Sequence, residues 1–200
     1  MLLGTALIFG ALSLFFYNQH EAAEAEKVSV MIMPQLMEVI EEKEEAATEP
    51  ETYVQPVGTP LDYLDPSAFE MTEVEIDGHA YIGYLAIPEL ELELPVMADW
   101  NYKKLRVAPC RYTGSVRGED LVIMAHNYAS HFGTLSKLSE GDSVIFTDMD
   151  GIVTVYEVVA QDILDPYAVE EMTSGEFDLT LFTCTYGGEN RVTVYCDRAS

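Results

Sequence analysis

Positive charge is scarce in this 200-residue sequence: Lys and Arg total 10 against 35 Asp and Glu, a formal charge of −25. A surface this acidic repels phosphate instead of neutralising it, which excludes nucleic acid and anionic headgroups as partners recognised by charge. Cysteine is equally thin. Three thiols, Cys110, Cys184 and Cys196, are too few and too odd a number for a disulfide framework, although a Cys110 to Cys196 bridge stays open outside a reducing compartment. No CxxC or HExxH spacing argues for a metal, no glycine-rich phosphate cradle occurs, and no internal repeat is found.

The one long apolar run, Leu2 to Tyr17, has sixteen residues without a charge. As a helix it reaches ~24 Å at ~1.5 Å per residue, short of a hydrocarbon core of ~30 Å. The expectation is a minimal, uncleaved membrane anchor over residues 1–17. A signal segment is the alternative, because Ala23-Glu24-Ala25 loosely resembles a cleavage site. Lys and Arg are absent before the run, so the positive-inside rule gives no orientation. Residues 18–77 then turn acidic and proline-containing. Pro34 suits a first helical turn, and Leu36, Met37, Val39 and Ile40 form a short apolar stripe before a glutamate-rich tract. The expected form is a solvated stalk helix followed by an extended spacer through Pro50, Pro56, Pro60 and Pro66.

Residues 78–200 read differently. After the turn signal Asp77-Gly78, YIGYLAIPELELELPVM gives two strands around Pro88. A short helix is expected within Asp99 to Leu105, a strand in LVIMAHN ending at His126, and a short helix over Ser130 to Leu138. Strands follow at Asp142 to Asp148 and, past the tight turn Asp150-Gly151, in VTVYEVVAQDIL. Many short strands with regular turns predict a mainly β fold, a closed barrel of about eight strands with a few short helices.

The last hairpin carries the chemistry. An apolar run ends at Cys184, Gly187-Gly188 turns the chain, and a second alternating run opens at Arg191. Thr180, Phe182 and Cys184 share one face of the first strand, and Arg191, Thr193 and Tyr195 one face of the second. If those faces coincide, Arg191 lies beside Cys184. A fixed cation there favours thiolate over thiol, lowering a free value of ~8.5 and supplying a nucleophile. Cys196 falls on the opposite face with Val192 and Val194, as a core thiol. Among the four histidines, His20 belongs to the stalk, His79 to a turn and His131 to a helix start. His126 instead terminates a buried strand, as Cys184 does, so both can emerge at one barrel rim. Cysteine nucleophile, histidine acid/base and arginine stabiliser form a complete set for acyl transfer.

These residues resemble those of sortases, the cysteine transpeptidases of Gram-positive surfaces. TLFTC at Thr180 to Cys184 matches the family's TLxTC motif, Arg191 its following arginine and AHN at Ala125 to Asn127 its histidine segment. IGYLAIPELELELPV is similar to an early family segment, and the likeness covers roughly Tyr81 to Asp197. Ala125 departs from the glycine usual before the histidine. The resemblance implies that Cys184 attacks the threonine carbonyl of an LPxTG-like sorting signal and forms a thioester. It implies that His126 protonates the departing glycine amine and deprotonates the incoming one, and that Arg191 holds substrate and oxyanion. The implied partners are sorting-signal-bearing surface proteins and an amine acceptor such as a peptidoglycan precursor or a pilin lysine. The implied location is the cell membrane, single-pass, with the catalytic domain outside.

Subclass stays open. The Leu164 to Asp178 connection is short, unlike the helix-bearing insertion of class B enzymes, and no apolar tail follows Arg198, unlike most class C enzymes. Asp65-Pro66 superficially resembles a class C lid but lacks the aromatic residue, and is read as a linker turn. No cofactor is required. Calcium at the acidic loop of Asp165, Glu170, Glu171, Glu176 and Asp178 is the open alternative to solvated carboxylates, as in some class A relatives. The competing functions are an inactive membrane-tethered binding barrel and another cell-wall cysteine peptidase or transpeptidase. Papain-like hydrolases place cysteine before histidine and on a helix start, and L,D-transpeptidases use a cysteine context absent here.

Overall fold

A computed structural model describes residues 2–47 and 70–199; Pro50, Pro56, Pro60 and the Asp65-Pro66 turn lie outside the described residues. Alternating apolar residues build β1 (Val74–Ile76), β2 (His79–Ile87), β3 (Leu92–Met97), β4 (Cys110–Thr113) and β5 (Leu121–Met124). They are followed by β6 (Ser143–Asp148), β7 (Val153–Leu164), β8 (Leu179–Cys184) and β9 (Arg191–Arg198). The strand order is β1-β2-β3-β4-β5-β8-β9-β7-β6, and β6 returns to β2. An eight-stranded barrel therefore closes, with β1 as an added hairpin arm on β2.

The turns follow from their residues. Asp77 and Gly78 both take positive φ, 50° and 77°, which the two-residue β1–β2 turn demands for strands of right-handed twist. Asn101 caps α2 (Tyr102–Leu105), its side-chain oxygen accepting from the Lys103 and Lys104 amides at 2.9 and 3.0 Å. The helix expected over Ser130 to Leu138 shrinks to a 3-10 turn at Leu135–Lys137. The chain before it is folded back on itself: a Cβ on Gly133 would sit 2.6 Å from the carbonyl oxygens of Asn127 and Tyr128. A tight loop, not a helix, holds the segment after His126.

Two apolar clusters sit on opposite sides of the barrel wall. Inside, Leu85, Val96, Ile123, Phe132, Phe146, Tyr156, Leu181, Val194 and Cys196 pack together. Each aliphatic or aromatic side chain buried this way contributes about 1.5–3 kcal/mol of transfer free energy. Outside, Tyr81, Met97 and Cys110 meet Ile32, Met33, Leu36 and Ile40 of α1 (Leu2–Ala47). Cys110 and Cys196 thus belong to different clusters, and both are free thiols, which removes the bridge left open from the sequence.

α1 changes the reading of the N-terminal third. It is one 46-residue helix in which Pro34 is internal instead of occupying a first turn. Its stripe does not face water: Leu36 is 0 % exposed, and Lys43 Nζ donates to the Met149 carbonyl oxygen at 2.9 Å. The expected solvated stalk helix is a strut, because the outer faces of β2, β3 and β4 offer apolar side chains at the spacing of its stripe. Among the described residues no helix is long and apolar enough to cross a membrane, for the uncharged run ends at Tyr17 and glutamates begin at Glu21.

Candidate active site

The β8–β9 hairpin has the expected register: Cys184 pairs directly with Arg191, and Phe182 with Thr193. The next pair outward exchanges a backbone bond, Thr185 N–H to Asn190 O at 2.9 Å, so Cys184 and Arg191 form a non-hydrogen-bonded pair. Side chains approach most closely at such positions, with Cα atoms ~4.5 Å apart. Gly187 and Gly188, at φ 95° and 81°, make the turn beyond. Arg191 Nη1 donates to the carbonyl oxygens of Gly188 and Asn190 at 3.2 and 3.1 Å, which anchors the guanidinium at this turn. Cys184 itself is half-buried.

His126 arrives from a strand 58 residues away. β5 runs parallel to β8 with Met124 opposite Phe182, and the Ala125 amide continues the ladder to the Phe182 carbonyl oxygen at 3.2 Å. Two side-chain bonds then bracket the histidine. Thr183 Oγ1 donates to the Ala125 carbonyl oxygen at 2.8 Å, and Asn127 Nδ2 donates to the Thr185 carbonyl oxygen at 3.3 Å. His126 is therefore held level with Cys184 between two ties. Ala125 is buried at this junction, so its methyl group fits where the resemblance led to glycine.

Rings and charges surround His126. Its imidazole stacks on Tyr128 at 4.8 Å between centroids and 25° between planes, and Tyr128 leans in turn on His131 at 5.6 Å. Burial holds His126 below the usual histidine range, Arg106 reinforces that, and Glu21 opposes it. Glu21 comes from α1 and lies 3.8 Å from Arg106, so the N-terminal helix reaches the rim that carries His126. His131 is completely buried, has no hydrogen-bond partner on either nitrogen, and is pushed down to about 4 by desolvation and then by His126. It is a neutral core ring, not a surface group. Tyr128, Glu21 and Arg106 carry no role in the sequence reading; Asn127 and Thr183 stand inside the AHN and TLFTC motifs, but their ties to Thr185 and Ala125 are not legible there.

The face bearing Cys184 continues along the outside of the barrel. Phe182 and Val122 form an apolar patch with Met172 of α3 (Val169–Met172), and Tyr112, Met124 and Leu164 border it. Beyond it the β7–β8 connection brings Glu170, Glu171 and Glu176 around a cavity of about 460 Å³ with Tyr195 and Phe177. Among the described residues no three His, Cys, Asp or Glu side chains are arranged to hold a metal ion. The arrangement as a whole offers a thiol, a neutral imidazole and a guanidinium at one rim, next to an apolar surface for a substrate's flank.

Comparison with known proteins agrees with this geometry. A Sortase domain family model matches residues 85–199. The solved structure of sortase C1 from Streptococcus suis is 30% identical over 61% of this chain and 74% of its own, with a TM-score of 0.55. Streptococcus pneumoniae sortase C is 25% identical over 82% of this chain and 97% of its own, at 0.56. Sortase A from Corynebacterium diphtheriae shares the fold, at 18% identity, 94% and 96% coverage and 0.56. Curated protein sequences give no match. With the family model spanning more than half of the sequence and its motifs meeting at one barrel rim, the chain belongs to the sortase family.

Proposed function

We propose that this chain is a cysteine transpeptidase that cleaves an LPxTG-like sorting signal at the Thr-Gly bond and transfers the acyl group to an amine. The observation that carries the reading is the direct pairing of Cys184 with Arg191 beside a histidine tied to the same strand. Cys184 sulfur attacks the threonine carbonyl carbon, and the thiol proton passes to His126, which burial keeps neutral and able to accept it. Arg191 donates to the oxyanion. As the C–N bond breaks, His126 returns the proton to the departing glycine amine, leaving a thioester on Cys184. An acceptor amine then attacks the thioester carbon, losing a proton to His126 as the C–S bond breaks, and the proton returns to the sulfur.

The apolar patch of Phe182, Val122 and Met172 is suited to the apolar residues of the signal. The acceptor class is a primary amine on a cell-wall precursor or another surface protein. The exposed apolar side chains along Leu7 to Tyr17 support a location at the cell membrane, and family membership supports a barrel outside it. Trapping decides the central claim: incubating the protein with a sorting-signal peptide should yield a hydroxylamine-labile adduct on Cys184 by mass spectrometry. A peptide that binds without forming that adduct would instead favour the binding-module reading.

A further inference from the structure

A groove of about 750 Å³ runs between α1 and the turn joining β2 to β3, and nothing in the acylation chemistry uses it. Val30, Met33, Pro34, Leu92 and Leu94 give it apolar walls. Glu26, Glu91 and Glu93 stand on its rim, all three exposed, and among the described residues no Lys or Arg lines it. Ser130, in the loop four residues after His126, also lines it, and its Oγ donates to the Ala22 carbonyl oxygen of α1 at 3.3 Å. Glu21, which reaches the His126 environment, and Glu26, on the groove, are ~7.5 Å apart along the helix axis at ~1.5 Å per residue. The groove therefore leads away from the catalytic rim.

Two backbone-scale features point to a ligand there. Ser29 lines the groove and is 6 % exposed, yet its buried Oγ has no hydrogen-bond partner, a state that native structures seldom leave unfilled. Pro34, one turn on, has no N–H to give the Val30 carbonyl oxygen, so the same helix wall carries a backbone acceptor released from the helical ladder. An apolar trough with an unmatched hydroxyl, a released carbonyl and an anionic rim is complementary to a peptide with apolar residues and positive charge.

We propose that this groove binds the second substrate, a net-cationic peptide segment whose primary amine projects past Ser130 toward His126 and the acylated Cys184. The inference rests on the transpeptidase reading and adds the place and class of the acceptor. The segment's ammonium group surrenders one proton to become the nucleophile and a second after attack. A C–N bond forms, the C–S bond breaks, Cys184 regains its proton, and one proton is released to solvent. No other reactant is needed.

The test uses the full chain acylated with an LPxTG-like peptide, with three competing acceptors: water, hydroxylamine, and an apolar peptide carrying one lysine amine. Two variants probe the groove, Glu26→Gln/Glu91→Gln/Glu93→Gln at the rim and Val30→Trp in the wall, all at exposed positions. The proposal expects the KM for the lysine peptide to rise ~10-fold or more in both variants. The rate of thioester formation and the partition to hydroxylamine should stay as in the parent. In the parent, the lysine peptide's KM should also rise with ionic strength, and that slope should flatten in the rim variant. A lysine-peptide KM within twofold of the parent in both variants, with acylation intact, overturns the groove assignment alone. Failure of the parent chain to form a thioester overturns the transpeptidase reading and this inference with it.

Discussion

Two thiols on one hairpin teach what the barrel does to cysteine. Cys184 closes β8 on the outer face, half-buried, with Arg191 across from it. Cys196, near the end of β9, points inward among Leu179, Val194 and Val158, and burial pushes it up to about 12. Cys110, under α1, is pushed up to about 12 for the same first cause. The strand's period of two, carried through the Gly187-Gly188 turn, decides which thiol meets water and which meets hydrocarbon.

The largest test of that contrast is substitution. Cys184→Ala is expected to abolish both thioester formation and transfer, whereas Cys196→Ala and Cys110→Ala keep them and lose stability instead. A thiol-reactive dye should label one cysteine quickly in the folded protein and three after denaturation. Loss of the acyl-enzyme in Cys110→Ala with its fold intact, read by circular dichroism, would break the contrast.

His126 comes next. Removing a general acid/base costs ~100- to 10,000-fold, so His126→Ala should lower transfer by that range while leaving the hairpin's register unchanged. His131→Ala should act mainly through stability. A near-equal kcat/KM for the two variants at matched folded fraction would mean that the ties through Thr183 and Asn127 hold a bystander.

Arg191→Lys separates charge from shape. Lysine keeps the positive charge opposite Cys184 but lacks the planar fork that now bonds the Gly188 and Asn190 carbonyl oxygens. Alkylation of Cys184 should stay near the parent rate, while turnover of a sorting-signal peptide falls by ~100-fold or more if an oxyanion donor is lost. Near-parent turnover would show that charge alone suffices.

How much of this was legible depended on the distance over which each signal acts. Cys184 and Arg191 flank a Gly-Gly turn, so local alternation placed them face to face without any tertiary knowledge. His126 could be placed only at a strand end, and its level with Cys184 comes from a parallel pairing across 58 residues that no local pattern encodes. α1 was misread for a related reason. Leu36 and Ile40 were visible as a stripe, but their partners Tyr81, Met97 and Cys110 point outward from a barrel whose outer face reads as solvent until the helix covers it. Three hydroxyl and amide ties also escaped notice: Thr183 and Asn127 stand inside the TLFTC and AHN motifs and Ser130 at the start of an expected helix, but no local pattern names their acceptors.

The smallest expected effect concerns His131, the buried ring behind Tyr128, and it sharpens the contrast between a neutral core imidazole and the one proposed as acid/base at the rim. In the unfolded chain His131 charges near 6.5, but in the folded protein desolvation and His126 hold it near 4. Between those values the unfolded state binds a proton that the folded state refuses, so this group favours folding fully above pH ~6.5 and loses that contribution as pH falls toward 4. At ~1.4 kcal/mol per pH unit across that window, the loss is about 3 kcal/mol by pH 4. His126, also held low by burial, acts in the same direction and remains in both proteins when only His131 is changed. His131→Phe keeps an aromatic ring against Tyr128 and has nothing to protonate. Urea titrations at pH 7, 5.5 and 4 should therefore show the parent losing more stability than His131→Phe, with the gap opening below pH 6.5. A gap that does not change with pH would mean that His131 titrates alike in both states and that its burial costs the protein nothing in acid.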